Sequence, residues 1–268
     1  MEVALFVEGG MSMPAARLTQ SPLATIWEHL ATVVGFEQGF SSVVPISKKH
    51  LVAMDPAKPT MSGASEGLDQ LLARKLAAKP FDAAVIAWDL IPAWNPSGHY
   101  CRWQETLDLY QLLADSTVLP LPWVEAAQRR RDGLRSRPLP AHRKGPHRVG
   151  PYEVVAVCMG PMFEAALLQD EQHVLRALGI SRRPRGWPTR AWGSPTVRPD
   201  QDLLRPIIRS LRAGPRKQRA RVAKLIGADE RNKDPWMEYL LRRMLDDEAA
   251  RDTLLEHPMS RRLAECLA

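Results

Sequence analysis

The chain is 268 residues long, 45% hydrophobic and 25% charged, with a formal net charge of +7. That length suits one large domain or a domain with an appendage, and the composition excludes a globally disordered chain. No basic leader precedes the first apolar run and no stretch is long and apolar enough for a membrane span, so an intracellular, cytoplasmic protein is expected. Cys101, Cys158 and Cys266 are odd in number, far apart and outside any Cys-x-x-Cys spacing, so neither a disulfide framework nor a thiolate metal site follows from them.

Val3 to Val7 is apolar at every position, the mark of a strand covered by helices on both faces. Glu8 stands where the run stops, and Gly9-Gly10 lets the backbone turn or approach a ligand. Met11 to Gln20 reads as a loop. Ser21-Pro22 places a capping residue before a proline at the first helical position, and Leu23, Ile26, Trp27, Leu30, Val33 and Val34 follow at helical spacing until Gly35. Val43 to Ile46 opens a short strand that His50 to Met54 would continue, with Pro45 favouring a sheet edge. After a loop through Ser65, Gly67 to Lys79 is a second amphipathic helix. Ala83 to Trp88 is another all-apolar run, and it too ends in a carboxylate, Asp89.

Strands separated by helices at these lengths argue for right-handed crossovers and a mainly parallel sheet. Parallel strands end on the same side, so Glu8 and Asp89 are expected at one sheet edge. Paired carboxylates there suit a hard divalent cation such as Mg²⁺. Taken singly, Glu8 is equally a solvated strand end and Asp89 a turn or capping acid.

A loop through His99 leads to a third helix, Trp103 to Ala114, and Ser116 to Trp123 reads as a proline-broken edge strand. Val124 to Gly150 is a basic surface excursion, helical at its start through Arg131, that holds Arg129, Arg130, Arg131, Arg135, Arg137, Arg143, Lys144 and Arg148. Such a run is either a solvated face or a phosphate-binding arm, since guanidinium pairs bidentately with phosphate oxygens. Without interleaved aromatics it is no RNA-recognition module by pattern. Tyr152 to Cys158 is the third strong strand, and Met162 to Asp170 a helix with Glu164 in its first turn. That acid either joins Glu8 and Asp89 or complements the helix dipole. Ser181 to Pro215 is a Pro-, Gly-, Arg- and Trp-rich connector containing a short helix, Gln201 to Arg212. A basic helix-prone stretch, Arg216 to Ile226, precedes three closing helices at Trp236 to Leu245, Ala249 to Leu255 and Pro258 to Leu267.

Val7-Glu8-Gly9 after a first strand, Ala87-Trp88-Asp89 ending a later one, and the helix Glu164-Ala165-Ala166-Leu167-Leu168-Gln169-Asp170 occur in an order that resembles the Toprim fold. The match is sharper to its DUF4276 relatives, found beside bacterial ATPases, whose tail is similar to His257-Pro258-Met259-Ser260-Arg261-Arg262-Leu263. The resemblance implies an α/β fold over residues 1–180, a Toprim/Rossmann-like, mainly parallel sheet flanked by helices, with the basic insertion at about 124–150. A Pro/Arg-rich connector and helical C-terminal region would occupy 181–268. It further implies a metal-dependent Toprim-type nuclease, the effector of an anti-phage defence system working with an ATPase. Glu8, Asp89 and Glu164 would be catalytic, and with Asp170 would hold Mg²⁺ or Mn²⁺. Arg129, Arg130, Arg131, Arg135, Arg143, Lys144 and Arg148 would hold the backbone of DNA, tRNA or another RNA. The family's Asp-x-Asp is here Asp89-Leu90-Ile91, so Glu164 or Asp170 would supply the missing oxygen. The alternative is a non-catalytic Toprim-like partner or regulatory subunit bound to an AAA/ABC-type ATPase through exposed Trp and Arg side chains between Ser181 and Arg221.

Overall fold

The computed structural model describes residues 1–9, 22–51, 66–90, 106–136, 148–160, 162–189, 192–193, 198–216, 220 and 233–267. The loops expected at 11–20, 56–65 and 91–99, the start of the helix at Trp103, the basic helix over 216–226 and the side chains of His99, His142, Arg143, Lys144 and His147 lie wholly or mainly outside these residues.

Strands β1 (Val3–Glu8), β2 (Ser42–Ile46), β3 (Ala83–Asp89) and β4 (Val154–Met159) form one all-parallel sheet in the order β2-β1-β3-β4. Alternate side chains of each strand feed two separate cores. Leu5, Val7, Val85 and Val157 enter the first, whereas Phe6, Ile86, Trp88 and Ala156 enter the second. This double burial is why the strands are apolar at nearly every position.

The first face is covered by α1 (Pro22–Val33), α6 (Phe163–Leu167), α7 (Glu171–Ala177), a π-helical turn (Pro199–Leu204) running into α8 (Arg205–Ala213), and α9 (Asp234–Leu245), α10 (Glu248–Glu256) and α11 (Pro258–Leu267). The second carries α2 (Lys48–Leu51), α3 (Leu68–Ala78), α4 (Leu107–Ala114) and α5 (Leu121–Arg135). The chain is therefore an α/β fold with helices on both faces, and its C-terminal helices share the first core with the strands rather than building one of their own. Helix α1 closes as its sequence implies. Gly35 takes φ +86°, and Phe36 N donates to Ala31 O at 2.8 Å.

Several expectations change. His50 belongs to the short helix α2, not to a strand extension, because its Nδ1 accepts from Ser47 N at 3.0 Å and turns the chain. Ser116 to Trp123 is no edge strand. Ser116 Oγ accepts from Val118 N and Leu119 N, both at 3.3 Å, and α5 starts at Leu121 with Pro122 in its first turn, where a missing N–H costs nothing. The helix expected over Met162 to Asp170 breaks in two, since Asp170 caps α7 instead of continuing α6. Trp187 is buried in the first core, with Trp192 partly buried and stacked on it at 6.3 Å, so neither is the exposed docking residue expected of the connector.

Both sheet edges are blunted. Pro45 lies on β2, whose outer side needs no donor there. Along β4, Arg262 Nε of α11 donates to Ala156 O at 3.4 Å, and Val149 N donates to Cys266 O at 2.8 Å.

Candidate active site at the carboxyl edge of the sheet

The chain steps from β1 to β2 on one side and returns past β1 to β3 on the other. Strand order thus reverses between β1 and β3, and in open α/β sheets the crevice outside the carboxyl ends of such strands is where ligands bind. Glu8 ends β1 and Asp89 ends β3 at that point. Both are half-buried, and Asp89 N donates to Glu8 Oε2 at 3.0 Å. The two acids expected to meet do so. Gly9 follows with φ +124°, a backbone only glycine adopts readily, and its N–H donates to Ile46 O at 3.2 Å.

Register decides what else joins them. Val7 pairs with Ala87, so Asp89 falls on the alternation that faces the first core, whereas Glu8 falls on that of the second. The acids therefore share an edge without sharing a face, and any common ligand must sit at the strand tips.

On the first face, Glu164 stands in the first turn of α6 and is 7% exposed. Its Oε1 accepts from Lys233 Nζ, which heads α9. Lys233 Nζ also lies 3.9 Å from Asp200 Oδ2 in the π-helical turn. Burial alone would lower the pKa of Lys233. The carboxylates of Glu164, Asp200 and Asp89 outweigh it and hold the ammonium above its ordinary value. Asp234, beside it, is pushed above the usual carboxylate range, first by burial and then by the negative charge of Glu164. Asp200 is also buried, and its Oδ1 lies 3.8 Å from Arg198 Nε without a hydrogen bond. Carboxylates outnumber cations in this cluster, and the charge of Glu164 adds to the burial that raises the Asp234 pKa.

Asp170 lies apart from this cluster. It is exposed, its Oδ1 accepts from Gln172 N at 2.6 Å and His173 N at 3.3 Å, and no hydrogen bond or ion pair links it to Glu8, Asp89 or Glu164. Nor does the basic run reach the carboxyl edge where it is described. Arg130 lines a cleft with Tyr152 and Glu153, which lead into the amino end of β4. Arg131 is 3.0 Å from Asp132, Arg135 donates to Gln111 at 2.7 Å, and Arg129 and Arg148 are exposed.

The donor set at the strand tips is oxygen only, which fits a hard cation that takes one or two carboxylates and keeps several waters. Among the described residues, no three His, Cys, Asp or Glu side chains come together as a ready-made metal cage. Lys233, Asp200 and Asp234 carry no motif in the sequence. An acid in the first turn of a helix is ordinarily dipole complement, so Lys233-Asp234-Pro235 reads as a plain helix start. No family model, curated protein or solved structure matches the chain.

Proposed function

We propose that the chain is a metal-dependent hydrolase of nucleic-acid phosphodiesters, of the Toprim type, acting at the carboxyl edge between β1 and β3. The observation that carries this reading is the contact of Glu8 with the backbone of Asp89 at the point where strand order reverses. Glu8 and Asp89 would hold the divalent ion, Mg²⁺ or Mn²⁺. When bound, it supplies a Lewis acid for the phosphoryl oxygen and lowers the pKa of its water. The chain's own groups do the rest. Glu8 and Asp89 place negative charge at the strand tips, Gly9 keeps the backbone low enough for a phosphate to approach, and Lys233 holds Glu164 while keeping positive charge beside the edge. The net charge of +7 draws a polyanion toward the molecule. On this reading the protein is the effector of an anti-phage system that works with an ATPase.

Glu8→Gln keeps an acceptor for Asp89 N, so it removes charge without removing the hydrogen bond. Purified protein is incubated with plasmid DNA and with total tRNA, in Mg²⁺, in Mn²⁺ or in EDTA. Cleavage is expected only with metal, and Glu8→Gln and Asp89→Asn should each lower it by about a hundredfold or more at unchanged melting temperature. Cleavage that persists in EDTA, or in both variants, overturns the proposal. One observation favours a second reading, a non-catalytic partner of an ATPase: Glu164, the third acid, is already neutralised by Lys233. That reading predicts no cleavage of either substrate by folded protein and co-purification with the ATPase.

A further inference from the structure

The exposed face of α8 carries a row of arginines without acidic partners at its centre. Several surface arginines elsewhere have acidic neighbours: Arg74 with Glu66 at 2.7 Å, Arg176 with Asp247 at 2.7 Å, Arg183 with Glu171 at 2.6 Å and Arg242 with Glu238 at 3.7 Å. On α8, Arg205, Arg209 and Arg212 recur at i, i+4 and i+7 and so occupy one stripe. Arg205 and Arg209 are exposed and make no hydrogen bond or ion pair with any described residue. Arg212 is half-buried at the end of the stripe, and Arg216 beyond it is exposed. Like charges at i and i+4 destabilise a helix. The opposite side, with Ile207, Ile208 and Leu211, is locked into the first core, so the stripe cannot roll away from solvent. An uncompensated local conflict of this kind is where a function is expected.

The stripe also has a direction. Helix α8 continues the π-helical turn that carries Asp200, whose carboxylate lies 3.9 Å from Lys233, itself bonded to Glu164. The row of guanidinium groups thus lies on the same continuous helical segment as Asp200. At a rise of about 1.5 Å per residue, Arg205 to Arg212 covers about 10 Å. That is about three steps of 3.4 Å along one nucleic-acid strand. Guanidinium forks match phosphate oxygens bidentately, which a lysine row would not.

We infer that the arginine face of α8, centred on Arg205 and Arg209, is the track that holds a nucleic-acid backbone leading into the carboxyl edge. This rests on the phosphodiesterase reading but assigns the contact to α8 rather than to the basic run on α5. The test is fluorescence anisotropy of a labelled single-stranded oligonucleotide, in DNA and RNA forms, titrated with full-length protein in EDTA at several salt concentrations. Arg205→Gln/Arg209→Gln should weaken binding about tenfold or more and make the slope of log K against log salt shallower by about 1.4, two contacts at about 0.7 each. Arg129→Gln/Arg148→Gln should keep the wild-type slope. Equal affinity and slope in wild type and the α8 variant overturn the track while leaving the carboxylate chemistry to its own cleavage assay. No oligonucleotide binding by wild type, or an α8 effect confined to anionic lipid vesicles, overturns it as well.

Discussion

At the scale of single residues, the charge balance around Glu164 is what holds the carboxyl edge together. A carboxylate this buried persists only with a counter-charge, and Lys233, about one-third exposed, supplies it. Removing one partner strands the other. Lys233→Met should therefore cost about 2 kcal/mol in a urea titration, below the full cost of breaking a wholly buried pair because Lys233 keeps some water. Glu164→Gln/Lys233→Met should cost less than the sum of the two single changes, the sign of a direct pair. His257 makes a second prediction. Burial drives its pKa from 6.5 to about 4, and its Nδ1 accepts from Met259 N at 3.3 Å, so the folded protein holds it neutral. The unfolded chain takes up the proton first, so this contribution is complete above pH 6.5 and is lost as pH falls toward 4. It amounts to roughly 3 kcal/mol, and His257→Asn should flatten the decline in melting temperature between pH 7 and pH 5.

Among the elements, α11 closes the structure, because it both fills the first core and covers the open side of β4. Met259, Leu263 and Cys266 are fully buried, while Arg262 reaches Ala156 O on the strand. Deleting buried methyl groups costs transfer energy and leaves a cavity. Leu263→Ala is therefore expected to lower stability by about 3 kcal/mol in chemical denaturation, although the residue lies near the end of the sequence. Caps divide the other helices: Thr106 accepts from Leu109 N at 3.2 Å to start α4, and Asp247 from Ala250 N at 3.0 Å to start α10. Asp170 does the same for α7, accepting from Gln172 N and His173 N.

For the whole molecule, the first core draws on Leu5 and Val85 of the sheet and on Trp236, Leu240 and Met259 of the last helices. The sheet and the C-terminal helices should accordingly unfold together. Tryptophan fluorescence, to which the fully buried Trp27, Trp88 and Trp236 contribute among eight tryptophans, and far-ultraviolet circular dichroism should give coincident thermal transitions, whereas two separated transitions would mean an independently folding C-terminal unit. The sequence by itself determined the three all-apolar strands β1, β3 and β4, amphipathic helices such as α1 and α3, and the arrival of Glu8 and Asp89 at one sheet edge. Those features are written in local pattern: unbroken apolar runs, helical spacing, and the rule that parallel strands end together. Only the tertiary structure decided that Glu8 and Asp89 point to opposite faces, that Lys233 from α9 neutralises Glu164, and that Trp187 is core rather than surface. Each of these depends on residues far apart in the chain, 69 positions for Lys233 and Glu164, and no local period records such a pairing.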